Sequence, residues 1–359
     1  METGAVIREH MLGAQIAEAL RQKSIPLFRQ AVERFQAYNA VVAGQSILHL
    51  AAQTGDVPLC EMLLKGGSDP AARNPQGYYP HESAASVGAQ SAAQMLRTAL
   101  YNRWVLEAYA KTDWPRVAQM VREGADPNLR VEGDLPLVSA AAAAAQNAVI
   151  GDIVARAGDL NAMDAAKFLP VDYAIRSGKI ETVRLVIANM ADKKPALTAP
   201  RVAMLLSQKK YDVVDILMTF GADPNGVSLE SAKTGDGETI LIAAAREGDT
   251  QTIELLAKYK ANLELPTRAG RTPLMAAAMA GKTAAISTLV RLGAKVDAQD
   301  TQGQSALHWA TRKQQLSSVQ ALVLSKANVK LKTTEGDTAE DLADALGFKE
   351  IEDYLDSVD

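Results

Sequence analysis

The chain is predicted to be an all-α solenoid of stacked helix-turn-helix units with connecting hairpin loops, on three observations. Segment openings at Thr239, Thr272, Ser305 and Thr338 stand 33 residues apart, and a fixed period of this size is the mark of a repeat architecture. Within each of these segments a Thr or Ser opens a short apolar helix, and a turn and a second, amphipathic helix follow. Nine residues after an opening stands a glycine, at Gly55, Gly178, Gly248, Gly281 and Gly347, where the first helix must end in a tight turn. Such a helix pair cannot bury its inner faces alone, so a continuous core forms only when neighbouring pairs stack. For 359 residues that are 48% hydrophobic, this predicts one elongated core rather than several globules.

Taken in order, residues 1–45 read as a divergent helical N-terminal cap. Pro26 suits the first turn of a second helix whose Leu27, Phe28, Ala31, Val32 and Phe35 recur at helical spacing and should face the stack. Segment 46–102 holds repeats, including a shortened second unit. The first is Ser46–Tyr78; the next opens at Tyr79, and by motif phase its successor opens near Arg103, only 24 residues on. Two helices joined almost directly are predicted there. Segment 103–238 carries divergent repeats, including the alanine-rich helix at Leu135, which suits either close packing or a smooth groove floor, and ends in a long loop. From Pro200 to Thr239 the step is 39 residues, so the loop Val227–Gly237 is an insertion, which loop-closure entropy tolerates. It reads as either a neutral surface insertion or part of a binding face.

Segment 239–337 contains the regular repeats. Their Thr and Ser openings are N-cap residues, and Pro273 takes the N1 position, where its missing N–H costs nothing. Residues 338–359 form a C-terminal capping repeat whose Asp341, Asp344, Glu350, Glu352 and Asp353 supply a polar outer face.

The motifs TPLMAA at Thr272–Ala277 and SALHWA at Ser305–Ala310, with the turn GADPN at Gly124–Asn128 and Gly221–Asn225, resemble the ankyrin-repeat family. The resemblance implies an ankyrin-repeat solenoid that binds other proteins through loop tips and first helices. It also implies a structural role for His49 and His308, with each imidazole linking a helix start to neighbouring loop backbone. Carried over by position, it selects Tyr78, Ser83, Gln53 and Thr54 toward the N-terminus. Farther along it selects Arg246, Glu247, Arg268, Arg271, Trp309, Arg312 and Lys313. Trp309 reads equally as a contact anchor or as packing against a neighbouring repeat. The basic residues would complement an acidic peptide or helix.

Other chemistry is sparse. A net charge of −4 gives no general basis for binding nucleic acid or an anionic membrane. The richest apolar stretch, Ala140–Ala145, is far short of the ~20 residues that span a bilayer. His49, His308, His10 and His81 have no zinc-motif spacing, so no metal and no cofactor are expected. Cys60, the lone cysteine, sits on an apolar helix without an assignable base, and no glycine-rich turn lies in a nucleotide-binding context. The expectation is a non-enzymatic scaffold or adaptor in the cytoplasm; the N-terminus lacks a secretory pattern, and export by a route needing none stays open. Two alternatives are a bacterial or parasite effector acting on a host protein, and a repeat protein with catalysis hidden at Tyr79–Trp114 or Val227–Gly237.

Overall fold

The computed structural model describes residues 2–228, 231 and 235–358. Its contacts divide the chain into two compact units, Met1–Ala191 and Asp192–Asp359, a division that falls inside segment 103–238. Residues 229–230 and 232–234 of the insertion Val227–Gly237 lie outside the described residues.

The first unit opens with helices Glu2–Arg21 and Ile25–Phe35. Ser24 caps the second by accepting from Leu27 N at 3.4 Å. Phe28, Ala31 and Val32 are buried as their spacing predicts, but Leu27 is 39% exposed, because it projects from the first turn of this helix beyond the buried stripe. A two-stranded finger, Val41–Val42 against Gln45–Ser46, leads into the pair Ile47–Thr54 and Val57–Lys65. Gly55 turns between them at φ +74°, and Asp56 caps the second helix through Leu59 N at 2.6 Å.

Helix Pro80–Ser86 follows, and then the expected near-direct junction is corrected. The second helix of this repeat and the first helix of the next are one unbroken helix, Gln90–Ala110. No glycine or proline occurs between Gly88 and Pro115, and strong helix formers such as Ala, Gln, Met, Leu and Arg fill the run. Ala92, Ala93, Leu96 and Leu100 are buried along its N-terminal part, Val105 and Ala108 along its C-terminal part. Its two ends therefore pack with different partners, Pro80–Ser86 and Trp114–Glu123. A finger of Arg130–Val131 against Leu135–Pro136 and the pairs Leu137–Ala143/Asn147–Ala155 and Pro170–Ser177/Ile180–Asn189 complete the unit. In the alanine-rich helix Ala140, Ala141 and Ala142 are buried, which is close packing.

The second unit pairs Ala199–Ser207 with Tyr211–Thr219, then Ile240–Glu247 with Thr250–Lys258. Pro273–Met279/Thr283–Arg291, Ala306–Arg312/Leu316–Leu324 and Ala339–Leu346/Lys349–Asp356 follow at the regular step. Thr239, Thr272 and Thr338 each cap their helix, accepting from Ile242, Met275 and Asp341 N at 3.2, 3.4 and 3.1 Å.

Neighbouring repeats are tied by backbone as well as by apolar burial. Asn262 N donates to Asn225 Oδ1 at 2.8 Å, as Asp159 N does to Asn128 Oδ1 at 2.7 Å in the first unit, so the last residue of each GADPN turn satisfies the next turn. Fingers also touch: Arg268 N donates to Asp236 O at 2.9 Å and Thr334 N to Gln302 O at 3.0 Å. Glycine is required at this contact. At Gly270 (φ +80°) and Gly303 (φ +70°) a Cβ would lie 2.7 Å from the amide nitrogen of Thr301 and Thr334, respectively.

Candidate functional site

Both helix-opening histidines sit at the joints between repeats. His49 is fully buried, with Nδ1 2.7 Å from Ser46 Oγ and Nε2 2.8 Å from Tyr78 O. His308 repeats the arrangement with Ser305 Oγ at 2.8 Å, Ser305 N at 3.1 Å and Asp337 O at 3.3 Å. A carbonyl only accepts, so Nε2 carries the proton and Nδ1 accepts from serine. Burial holds both imidazoles below the usual histidine range, and they are neutral joints rather than ligands.

Cys60 is buried on Val57–Lys65, and burial, with Asp56 nearby, pushes its thiol up to about 12. The thiolate needed for nucleophilic chemistry is therefore suppressed. Among the described residues no group of three or more His, Cys, Asp and Glu is placed to hold a metal ion, and no helix is long and apolar enough to cross a membrane.

Toward the N-terminus the selected residues separate. Tyr78 is 53% exposed, whereas Ser83 is 3% exposed and is corrected from a contact residue to a packing one: on the short helix Pro80–Ser86 its side chain faces inward. Thr54 Oγ1 donates to Ala51 O at 2.6 Å, and Gln53 Nε2 to Gln45 Oε1 at 3.2 Å. Beside Tyr78 lies a cluster that the repeat pattern did not indicate. Tyr79 stacks on His81 at 5.8 Å and meets Trp104 edge-on at 5.9 Å, while the Arg73 guanidinium lies 4.1 Å over its ring. Only the adjacent Tyr78-Tyr79 pair and the missing turn hinted at it.

In the second unit the selected residues come closer together. The Trp309 indole N–H donates to Asp300 Oδ2 at 2.9 Å, which ties one edge of the ring to its own finger while the residue stays half-buried. Arg312 and Lys313 follow at three and four residues, the spacing that puts side chains on one helix face, and both are exposed. From Asp300 the path continues through Thr301, whose Oγ1 donates to Ala269 O at 3.0 Å, to exposed Arg268 on the neighbouring finger. Arg268, Arg312 and Lys313 make no ion pair among the described residues. Arg271 is half-buried, with its Nε enclosed and unbonded.

Arg246 is engaged differently. One terminal nitrogen lies 3.0 Å from Glu238 Oε1, whose side chain is 6% exposed, and Ser228 Oγ donates to the other Glu238 oxygen at 3.1 Å. Arg246 and exposed Glu247 line a cleft of about 630 Å³ between the helices Ala199–Ser207 and Ile240–Glu247. Elsewhere in this unit consecutive first helices pack directly, but these two barely touch. Across the cleft the Tyr211 hydroxyl donates to Asp249 at 3.2 Å, and Asp249 also accepts from Thr252 N and Oγ1 at 3.0 and 2.7 Å. Burial and the Asp249 charge raise the Tyr211 phenol above its usual range, so it remains a donor.

Comparison with known families matches ankyrin repeats (3 copies) over residues 202–300 and 261–333 and a further ankyrin repeat over 43–75. The stretch between is helical too, but includes the unbroken helix Gln90–Ala110. The comparison with curated proteins finds no match.

Proposed function

We propose, for a chain that carries ankyrin repeats, a role as a cytoplasmic scaffold or adaptor that captures an acidic peptide or helix on the first helices and fingers of residues 239–337. Ankyrin repeats generally serve protein–protein interaction, through the extended surface that stacking creates. One observation carries the finer reading: Arg268, Arg312 and Lys313 are exposed, free of ion pairs among the described residues, and linked to Trp309 through adjoining fingers. A guanidinium with all its donors free suits carboxylates, and a half-buried indole beside it suits an apolar neighbour. Arg246 is a poorer general contact, since Glu238 already neutralises it.

Charge reversal tests this. The double variant R268E/R312E should lose about tenfold or more in partner affinity at low salt, equivalent to ~1.4 kcal/mol or more, and the loss should shrink as salt screens the surface. Affinity capture from extract, followed by titration of the recovered partner against both forms, reads the effect. Unchanged affinity across the salt series would refute the assignment.

A further inference from the structure

Charge is divided unevenly within the second unit. Residues 239–337 carry thirteen Lys and Arg against eight Asp and Glu, whereas the cap 338–359 carries one lysine, Lys349, against eight Asp and Glu. A soluble outer face needs no such imbalance, because interspersed charges of both signs serve as well. A field of one sign steers a partner of the other. The second cap helix, Lys349–Asp356, shows how the charge is arranged. Its Ile351 and Leu355 are buried against the stack, while Glu350, Asp353 and Asp356, at steps of three residues, are exposed on the opposite side. Lys349 reaches Glu352 and Asp353 at 3.1 and 3.2 Å, and neither Glu350 nor Asp356 makes an ion pair among the described residues. The basic finger surface belongs to the repeats just before this cap, yet no described carboxylate of the cap pairs with a lysine or arginine of 239–337. The acidic side of Lys349–Asp356 faces away from the stack, so its charge is offered to another molecule rather than to its own fingers.

We infer that the acidic helix received by the finger surface is the cap helix Lys349–Asp356 of a second copy of this chain, with Glu350, Asp353 and Asp356 meeting Arg268, Arg312 and Lys313. The inference rests on the acidic-partner reading above and names the partner. Its ground is charge complementarity between two patches that a single chain leaves unmatched. The patches differ, so the contact is head to tail, and each dimer keeps one cap and one finger surface open. Association therefore grows with protein concentration and weakens as salt screens the patches.

Sedimentation velocity of the full chain over a range of concentrations tests this at about 0.01 M and about 1 M salt, where charge is felt over ~30 Å and ~3 Å. The parent should associate at low salt, with a dissociation constant at least tenfold weaker at high salt. R268E/R312E removes the receiving surface and E350Q/D353Q/D356Q the inserted one; all five positions are exposed, and circular dichroism checks that both variants fold. Each variant alone should associate at least tenfold more weakly than the parent. Mixed, they should form a one-to-one complex, because one retains the acidic cap and the other the basic fingers. A parent that stays monomeric at low salt overturns the inference, as does association that ignores salt, survives in both variants, or fails to return on mixing. If the inference fails in any of these ways but R268E/R312E still loses a partner captured from extract, the finger surface stands and only the second copy is excluded. If that variant keeps the extract partner as well, both readings fail.

Discussion

Replacing Ala99 by proline should destabilise the unit Met1–Ala191 by about 3 kcal/mol or more, against about 1 kcal/mol for Ala99→Gly. Ala99 is in the middle of the unbroken helix Gln90–Ala110, and proline there removes a backbone hydrogen bond and clashes with the preceding turn. The effect should spread in both directions. Leu96 and Leu100 on either side of the site are 1% exposed, and the ends of the helix serve separate repeats through Pro80–Ser86 and Trp114–Glu123. Two helices merely abutting at this point would accept a proline at their junction. Urea unfolding followed by tryptophan fluorescence in a Trp309→Phe background isolates this unit, because the other two tryptophans, Trp104 and Trp114, both lie in it. A loss of under 1 kcal/mol would show that the helix is not a single mechanical piece.

Acidification from pH 7.5 to 5.5 should destabilise each unit; in the second the His308 joint should account for most of it, and in the first the His49 joint shares it with His81, which burial and the nearby Arg97 also hold low. His49 and His308 are 0% and 1% exposed and have their pKa values lowered by burial. An unfolded histidine takes up a proton as pH falls through about 6.5 while the folded one does not, so the unfolded state binds more protons. Stability is therefore fully present above that pH and is lost as pH falls from it toward the folded pKa. The slope approaches about 1.4 kcal/mol per pH unit for each histidine. At His308 the conflict is geometric too: a proton on Nδ1 would face the Ser305 amide N–H, 3.1 Å away, which it now accepts. Carboxylates held low by hydrogen bonds, such as Asp164 through Tyr173 and Asp341 through Thr338, act below about pH 4 and leave this window clear. His49→Gln and His308→Gln should each flatten the melting-temperature profile between pH 7.5 and 5.5. Profiles parallel to the parent's would contradict the assignment of the loss to these joints.

Much of this architecture could be read along the chain because it repeats. The caps at Thr239, Thr272 and Thr338, the glycine turns, and the histidines at the fourth position of SILH and SALH follow from local geometry at fixed spacing. What escaped is set by contacts between distant residues or by the absence of a signal. The fusion at Gln90–Ala110 has no breaker to mark it and no motif of its own. Ser83 fits the positional pattern of a surface residue, yet the neighbouring helices cover it. Nothing in sequence spacing pairs Arg246 with a buried Glu238, since the equivalent positions in the next repeats hold Arg271, Gln304 and Asp337, none of which makes such a pair. The cleft likewise depends on how two helices sit rather than on what they contain. The insertion length was visible; its consequence for packing was not.

The most direct test of the central claim is hydrogen–deuterium exchange of the intact chain with and without its captured partner. Slowed exchange in the fingers 267–271 and 300–304 and in the first-helix ends at Arg246 and Arg312 is the predicted result. Protection confined to the second helices, or to the unit Met1–Ala191, would contradict the placement of function on residues 239–337.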